Sequence, residues 1–121
     1  MNQNAQIIEP PNAIARKLET IQEKGAMKSI DIALIIGARP ETVSRWNQGK
    51  AFPQRDKEKI LLDLEYVVDQ LSDFYEPDEA RLWLFSRQKL LGGKQPAQLI
   101  HDSETDRVIE IIDQLRDGVF L

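Results

Sequence analysis

His101 is the single histidine of a 121-residue chain and Asp102 follows it, so proton transfer by an imidazole with an orienting carboxylate is the first chemistry to weigh. No activated nucleophile or glycine-rich oxyanion site accompanies the pair, and the serines are scattered without a base. Cysteine is absent, which removes thiolate catalysis, disulfides and zinc–sulfur sites together. Gly92-Gly93 is too short to cradle a phosphate, and no Walker, dinucleotide or metal-ligand spacing occurs. The expectation is a protein with no catalytic residue, metal or cofactor of its own, in which His101 is an ordinary helix-end residue. Recognition is the chemistry that remains. The stretch "QLRDGVFL" sets Val119, Phe120 and Leu121 bare beyond a helix-stopping Gly118, with a carboxylate behind them. Such a tail either folds back on its own core or enters another protein's pocket.

The formal net charge of −4 divides unevenly along the chain. Residues 1–56 carry eight Lys/Arg against six Asp/Glu, and residues 57–121 carry eight against fourteen. The front half can meet phosphate, whereas the back half suits a basic protein surface. Nine acids between Asp56 and Glu79 are either a solvated helix face or a field that steers a basic partner. The start "MNQNAQIIEPPNA" lacks the basic residues and long apolar run of a signal peptide. No run approaches the roughly 18 apolar residues that cross a bilayer. A cytoplasmic protein without membrane contact is expected.

The elements that must position these residues read as helices throughout, so the expected class is all-α. Residues 1–11 form an arm, and Pro11-Asn12 opens a helix with Ile14, Leu18 and Ile21 on one stripe, ended by Gly25. A short helix follows over about 29–36, then one from Pro40 to about Gln48 with Gly49 capping it. The longest helix, about 54–75, places Ile60, Leu64, Val67, Leu71 and Phe74 on one side. At about 1.5 Å per residue it is long enough to link two modules. After Pro77, "RLWLF" is apolar on nearly all sides and is expected to be buried. "LGGKQP" is expected to be a flexible turn, followed by a turn of helix near 96–101. The last helix is expected to begin at Ser103, its hydroxyl capping while Asp106 reaches back. The resulting units are 12–54, a connecting helix over 55–77, and 78–121.

Within the first unit, "DIALIIGARPETVSRWNQGK" meets the spacing of a helix-turn-helix. Ala33 is small where two helices cross, Gly37 takes the turn, and Val43 and Trp46 face inward. The stretch resembles the phage-repressor (Cro/C1, Xre) type of helix-turn-helix. That resemblance implies a second helix entering the major groove, with Arg39, Glu41, Ser44 and Arg45 toward base edges. Thr42, Gln48 and Lys50 would then lie near phosphate. Arg45 suits a guanine and Glu41 a cytosine amino group. A positive balance of two per copy is small for phosphate neutralisation, so DNA binding calls for a homodimer on a palindromic operator. The alternative is a helix-turn-helix kept only as an assembly surface, and Glu41 is unhelpful beside phosphates.

Past Asp78 the marks are Trp83-Leu84, Leu91-Gly92-Gly93, Pro96 with Leu99-Ile100, a stripe from Val108 to Leu115, and Gly118-Val119-Phe120. This segment resembles the toxin-binding domain of the Xre/MbcA/ParS-like antitoxins, departing from it at Arg87-Gln88, where the family often has Pro-Asn. The resemblance implies an antitoxin whose partner is a NAD-degrading RES-domain toxin, held in a hetero-oligomer. Contact would fall on Trp83, Arg116, Gly118, Val119, Phe120 and Leu121, the last three entering the toxin's cleft. It also implies autorepression of the operon by the front unit. Burying Val, Phe and Leu yields about 5–9 kcal/mol against an association cost of about 4–15, so the surrounding domain must supply most of the interface. A different class remains open at this point: a stand-alone helix-turn-helix repressor whose back unit only dimerises.

Overall fold

The turn residues divide the chain into helices in the computed structural model, which describes residues 9–118. Among these lie α1 (Ala13–Gly25), α2 (Ser29–Ile36), α3 (Pro40–Asn47), α4 (Arg55–Leu71), α5 (Pro77–Leu84), a 3-10 turn (Lys89–Leu91), α6 (Pro96–His101) and α7 (Thr105–Arg116). The expected arm lies outside the described residues over 1–8, as do Val119, Phe120 and Leu121. The described part has no strand, only an isolated bridge between Gln88 and Lys94. No described helix is long and apolar enough to cross a membrane.

Local chemistry explains most of the boundaries. Asn12 accepts the Ala15 amide at 3.0 Å and so caps α1. Gly25 closes that helix for a packing reason: a Cβ there would lie 3.3 Å from both Val68 methyls on α4. The left-handed step falls instead on Ala26, at φ 50°. Gly37 takes φ 83° after α2, and the Ala38 amide reaches back to the Ala33 carbonyl at 3.0 Å. Ala33, Val43 and Trp46 are buried around this corner.

α4 lies at the centre of the molecule, against α1, α2, α6 and α7. Its Ile60, Leu61, Leu64, Val67, Val68 and Leu71 belong to one core continuous from Leu18 of α1 to Ile112 of α7. Each such side chain contributes about 1.5–3 kcal/mol of burial before chain entropy is counted. Polar ties run along the same helix. Lys24 pairs with Asp69 at 2.6 Å, and Thr105 donates to Asp63 at 2.9 Å. Just past the end of that helix, Arg116 pairs with Asp73 at 2.7 Å. Four of the nine acids between Asp56 and Glu79 are therefore held by neighbouring helices, since Glu65 also faces Lys17 at 3.9 Å.

Four expectations are corrected. The long helix ends at Leu71 rather than near residue 75, because the Ser72 hydroxyl turns back to the Asp69 carbonyl at 2.6 Å and the chain closes into a turn. The last helix starts at Thr105, and Ser103 does not cap it. Ser103 has φ 62°, and Ser103 and Glu104 donate to the Ile100 and Leu99 carbonyls, so it ends α6 instead. "RLWLF" is not buried throughout: Leu84 is fully covered while Leu82 is 68% exposed. A two-turn helix at the edge of the molecule covers one face only, here Ala80 and Leu84. The "LGGKQP" turn is a hydrogen-bonded loop, with Gln88 donating to Lys94 at 3.0 Å and Gly93 to Gln88 at 2.9 Å.

Candidate functional site

The back edge is built from α5 and the turn before it. Pro77 opens α5 and Glu79 accepts the Glu76 amide at 2.8 Å, so the helix is pinned at its first turn. With Ala80 and Leu84 turned inward, Leu82 projects to solvent and Trp83 is half-buried. Tyr75, Glu79, Leu82, Trp83, Ser86 and Gln88 line a shallow groove of about 290 Å³. That is below the size of a typical small-molecule pocket, but it admits a side chain or two of a protein partner. Gln88 donates to the Trp83 carbonyl at 3.2 Å and so ties the following loop to this face.

The surface continues from there to α7. The Tyr75 and Phe74 rings lie 5.0 Å apart, and the Arg116 guanidinium stands 5.9 Å from the Phe74 centroid. Arg116 also donates to Asp73 at 2.7 Å and to Gln70 at 2.5 Å. The Asp73 bond holds its guanidinium above the ordinary pKa, so it is charged throughout the working range. Trp83 and Arg116, distant in sequence, thus sit on one surface joined by Tyr75 and Phe74. Gly118 follows Arg116 with φ 71°, and Val119, Phe120 and Leu121 lie outside the described residues. Leu82, Tyr75 and Phe74 are additions that sequence reasoning did not place here. The signal was present for Leu82, which falls off the Ala80–Leu84 stripe.

The front corner carries the second set. Arg39 precedes α3, Pro40 opens it, and Arg39, Glu41, Arg45, Gln48 and Lys50 are all exposed. Arg45 reaches the Lys50 carbonyl at 3.4 Å. Thr42 and Ser44 are half-buried, and the Ser44 hydroxyl lies 3.5 Å from that of Ser29 on α2. The outward face therefore holds three cations, one carboxylate and one amide, with Ser44 turned toward α2. On α2 itself Ile30 and Leu34 are 58% and 68% exposed, although the rest of that helix is largely covered.

Two contacts lock the front corner to the back edge. Arg81 of α5 donates to both Asp31 oxygens, at 2.9 and 3.4 Å, and Asp31 also accepts the Lys28 amide at 3.0 Å. Burial pushes the Asp31 carboxyl up, but the Arg81 guanidinium and the Lys28 amide outweigh it and hold it below the usual value. His101 Nδ1 lies 2.9 Å from the Ile35 carbonyl, and since a carbonyl only accepts, Nδ1 carries the proton. Asp102 is occupied by the Gln98 amide at 3.1 Å rather than by His101. The ring is a strut between α6 and α2, and the two residues form no dyad. Among the described residues no group of three or more His, Cys, Asp or Glu could hold a metal.

Likeness to known proteins falls on both parts. The family profile described as the antitoxin Xre/MbcA/ParS C-terminal toxin-binding domain matches residues 64–118, beginning inside α4. Mycobacterial cidal antitoxin MbcA of Mycobacterium tuberculosis (strain ATCC 25618 / H37Rv) is 34% identical over 110 residues, covering 91% of this chain and 97% of that protein. MbcA of Mycobacterium bovis (strain ATCC BAA-935 / AF2122/97) is equally similar over the same span. A chain in the crystal structure of the M. tuberculosis MbcT–MbcA toxin–antitoxin complex superposes with a TM-score of 0.81 at 35% identity, covering 91% of this chain and 99% of that one.

Proposed function

The chain belongs to the Xre/MbcA/ParS family of antitoxins, and from that membership we propose that it silences a NAD-degrading RES-domain toxin by docking its α5–α7 edge and leading Val119–Leu121 into the toxin's cleft. It is the antitoxin of a toxin–antitoxin system and acts by binding rather than by catalysis. The observation that supports the docking edge is the exposure of Leu82 beside half-buried Trp83, on a helix whose other face is fully covered. An apolar surface of this kind, flanked by Glu79 and Arg116, has the make-up of a protein-binding face. Phe74 and Tyr75 extend it to the point where α7 ends. Trp83, Arg116, Gly118, Val119, Phe120 and Leu121 are the toxin-facing residues in this account. Co-expression with the toxin tests it. Removing residues 118–121 leaves a complex that forms but consumes NAD, whereas undiminished inhibition by the shortened chain refutes the plug.

Autorepression is the second part of the proposal. Arg39, Arg45 and Lys50 approach DNA from the exposed face of α3, with Glu41, Thr42, Ser44 and Gln48 around them. Two copies are required for a useful phosphate count. The exposed Ile30 and Leu34 of α2 supply an apolar face that a second copy covers.

A further inference from the structure

We infer that Arg116 is a positioning residue: its grip on the end of α4 fixes the direction in which the chain leaves α7, and thereby aims the segment that follows. The inference deepens the plug account above and rests on it.

α7 is tied to α4 at two places by polar side chains. At its start Thr105 donates to Asp63, and at its end Arg116 donates to Asp73 and Gln70. Asp63 and Gln70 lie about 10 Å apart along α4, with Asp73 in the turn just past its end, and Thr105 and Arg116 lie about 16 Å apart along α7, so the helices run side by side in the same direction. Between the ties, Val108, Ile111 and Ile112 are buried, but Leu115 is only partly covered. Apolar packing therefore weakens toward the last turn of α7, and Arg116 takes over there.

The form of the grip is directional. One guanidinium nitrogen meets a carboxylate, the other an amide oxygen, and the Phe74 ring lies beside the group. A planar fork held by two acceptors and a ring has its rotation fixed, which the point charge of a lysine cannot reproduce. The energetic contribution is small, because the Arg116 and Asp73 side chains are 38% and 56% exposed. Two residues later Gly118 turns the chain at φ 71°. A small angular error at Arg116 is carried directly into that turn. The contact thus contributes little to folding and much to aim.

The test is a cycle in the purified toxin complex. Arg116→Ala is expected to raise residual NAD turnover at least about tenfold while the melting temperature of the free antitoxin moves by less than about 2 °C. Arg116→Lys recovers only part of the inhibition, and the exchange Asp73→Arg with Arg116→Asp recovers most of it. In a chain lacking residues 118–121, Arg116→Ala loses most of its effect on NAD turnover, because that effect passes through the missing segment, and the remainder measures its direct contact with the toxin. Wild-type inhibition by Arg116→Ala, or an effect of the same size in the shortened chain, overturns the inference and leaves the plug standing. Should the shortened chain inhibit fully, the plug account fails, and a distance measurement decides Arg116 alone. The chain has no cysteine, so Asp78→Cys and Asp117→Cys take spin labels specifically. The spread of distances between them widens with Arg116→Ala, and an unchanged spread overturns the inference.

Discussion

Replacing Arg81 by Met removes the cation from Asp31 while keeping a stem that covers Phe85, over which the guanidinium stands at 5.4 Å. Asp31 retains its Lys28 amide but loses its arginine, with its own side chain 10% exposed. Breaking one side of a fully buried pair costs about 3–5 kcal/mol. Arg81 keeps 45% of its side chain in water, so the carboxylate left behind is partly rehydrated. About 2 kcal/mol is expected, equivalent to about 6 °C in melting temperature for a chain of this length. The sign with pH follows from Asp31. Its folded pKa lies below the ordinary carboxylate value it has in the unfolded chain, so its contribution is present above that value and is lost as pH falls through the folded one. The difference between wild type and Arg81→Met therefore shrinks on acidification to about pH 3. Circular dichroism melts at neutral and acid pH provide the assay. A neutral shift under about 1 °C, or one of equal size at about pH 3, refutes the reasoning.

Three further outcomes are expected. Leu82→Asp leaves stability within about 0.5 kcal/mol because the side chain is already exposed, yet weakens toxin binding at least about tenfold by calorimetry. Leu34→Glu shifts the free protein toward monomer in sedimentation without unfolding it, since only the exposed face of α2 is changed. Ser103→Gly stabilises the fold by up to about 1 kcal/mol in urea melts, because φ 62° costs a side chain what glycine avoids.

The helices were legible wherever an apolar stripe met a turn residue. Leu18 and Ile21 are buried at the spacing that predicted them, and Gly37 takes the left-handed turn its position required. Ser103 misled because a hydroxyl before a helix has two uses, and closing α6 is decided by the tight approach of α6 and α7. The "RLWLF" stretch misled for a related reason. Periodicity records that a helix is apolar on several sides, but it does not record whether a second element of the same chain covers each side. The proposed docking edge was legible only in pieces. Trp83 and Arg116 could be named separately, whereas the Phe74–Tyr75 pair that joins them depends on where α4 stops. The role of His101 was also out of reach, because the Ile35 carbonyl it meets lies 66 residues away.

α4 bears on how such proteins can be retargeted. An exchange of toxin specificity by grafting residues 78–121 onto another front half would strip Val108 and Ile112 of the core they share with α4. The heritable cassette is longer than the proposed contact edge: it must carry the central helix with it, together with Asp31 as the far anchor of Arg81. Relatives that trade partners would then exchange nearly the whole chain at once, or else alter side chains one at a time on a preserved frame.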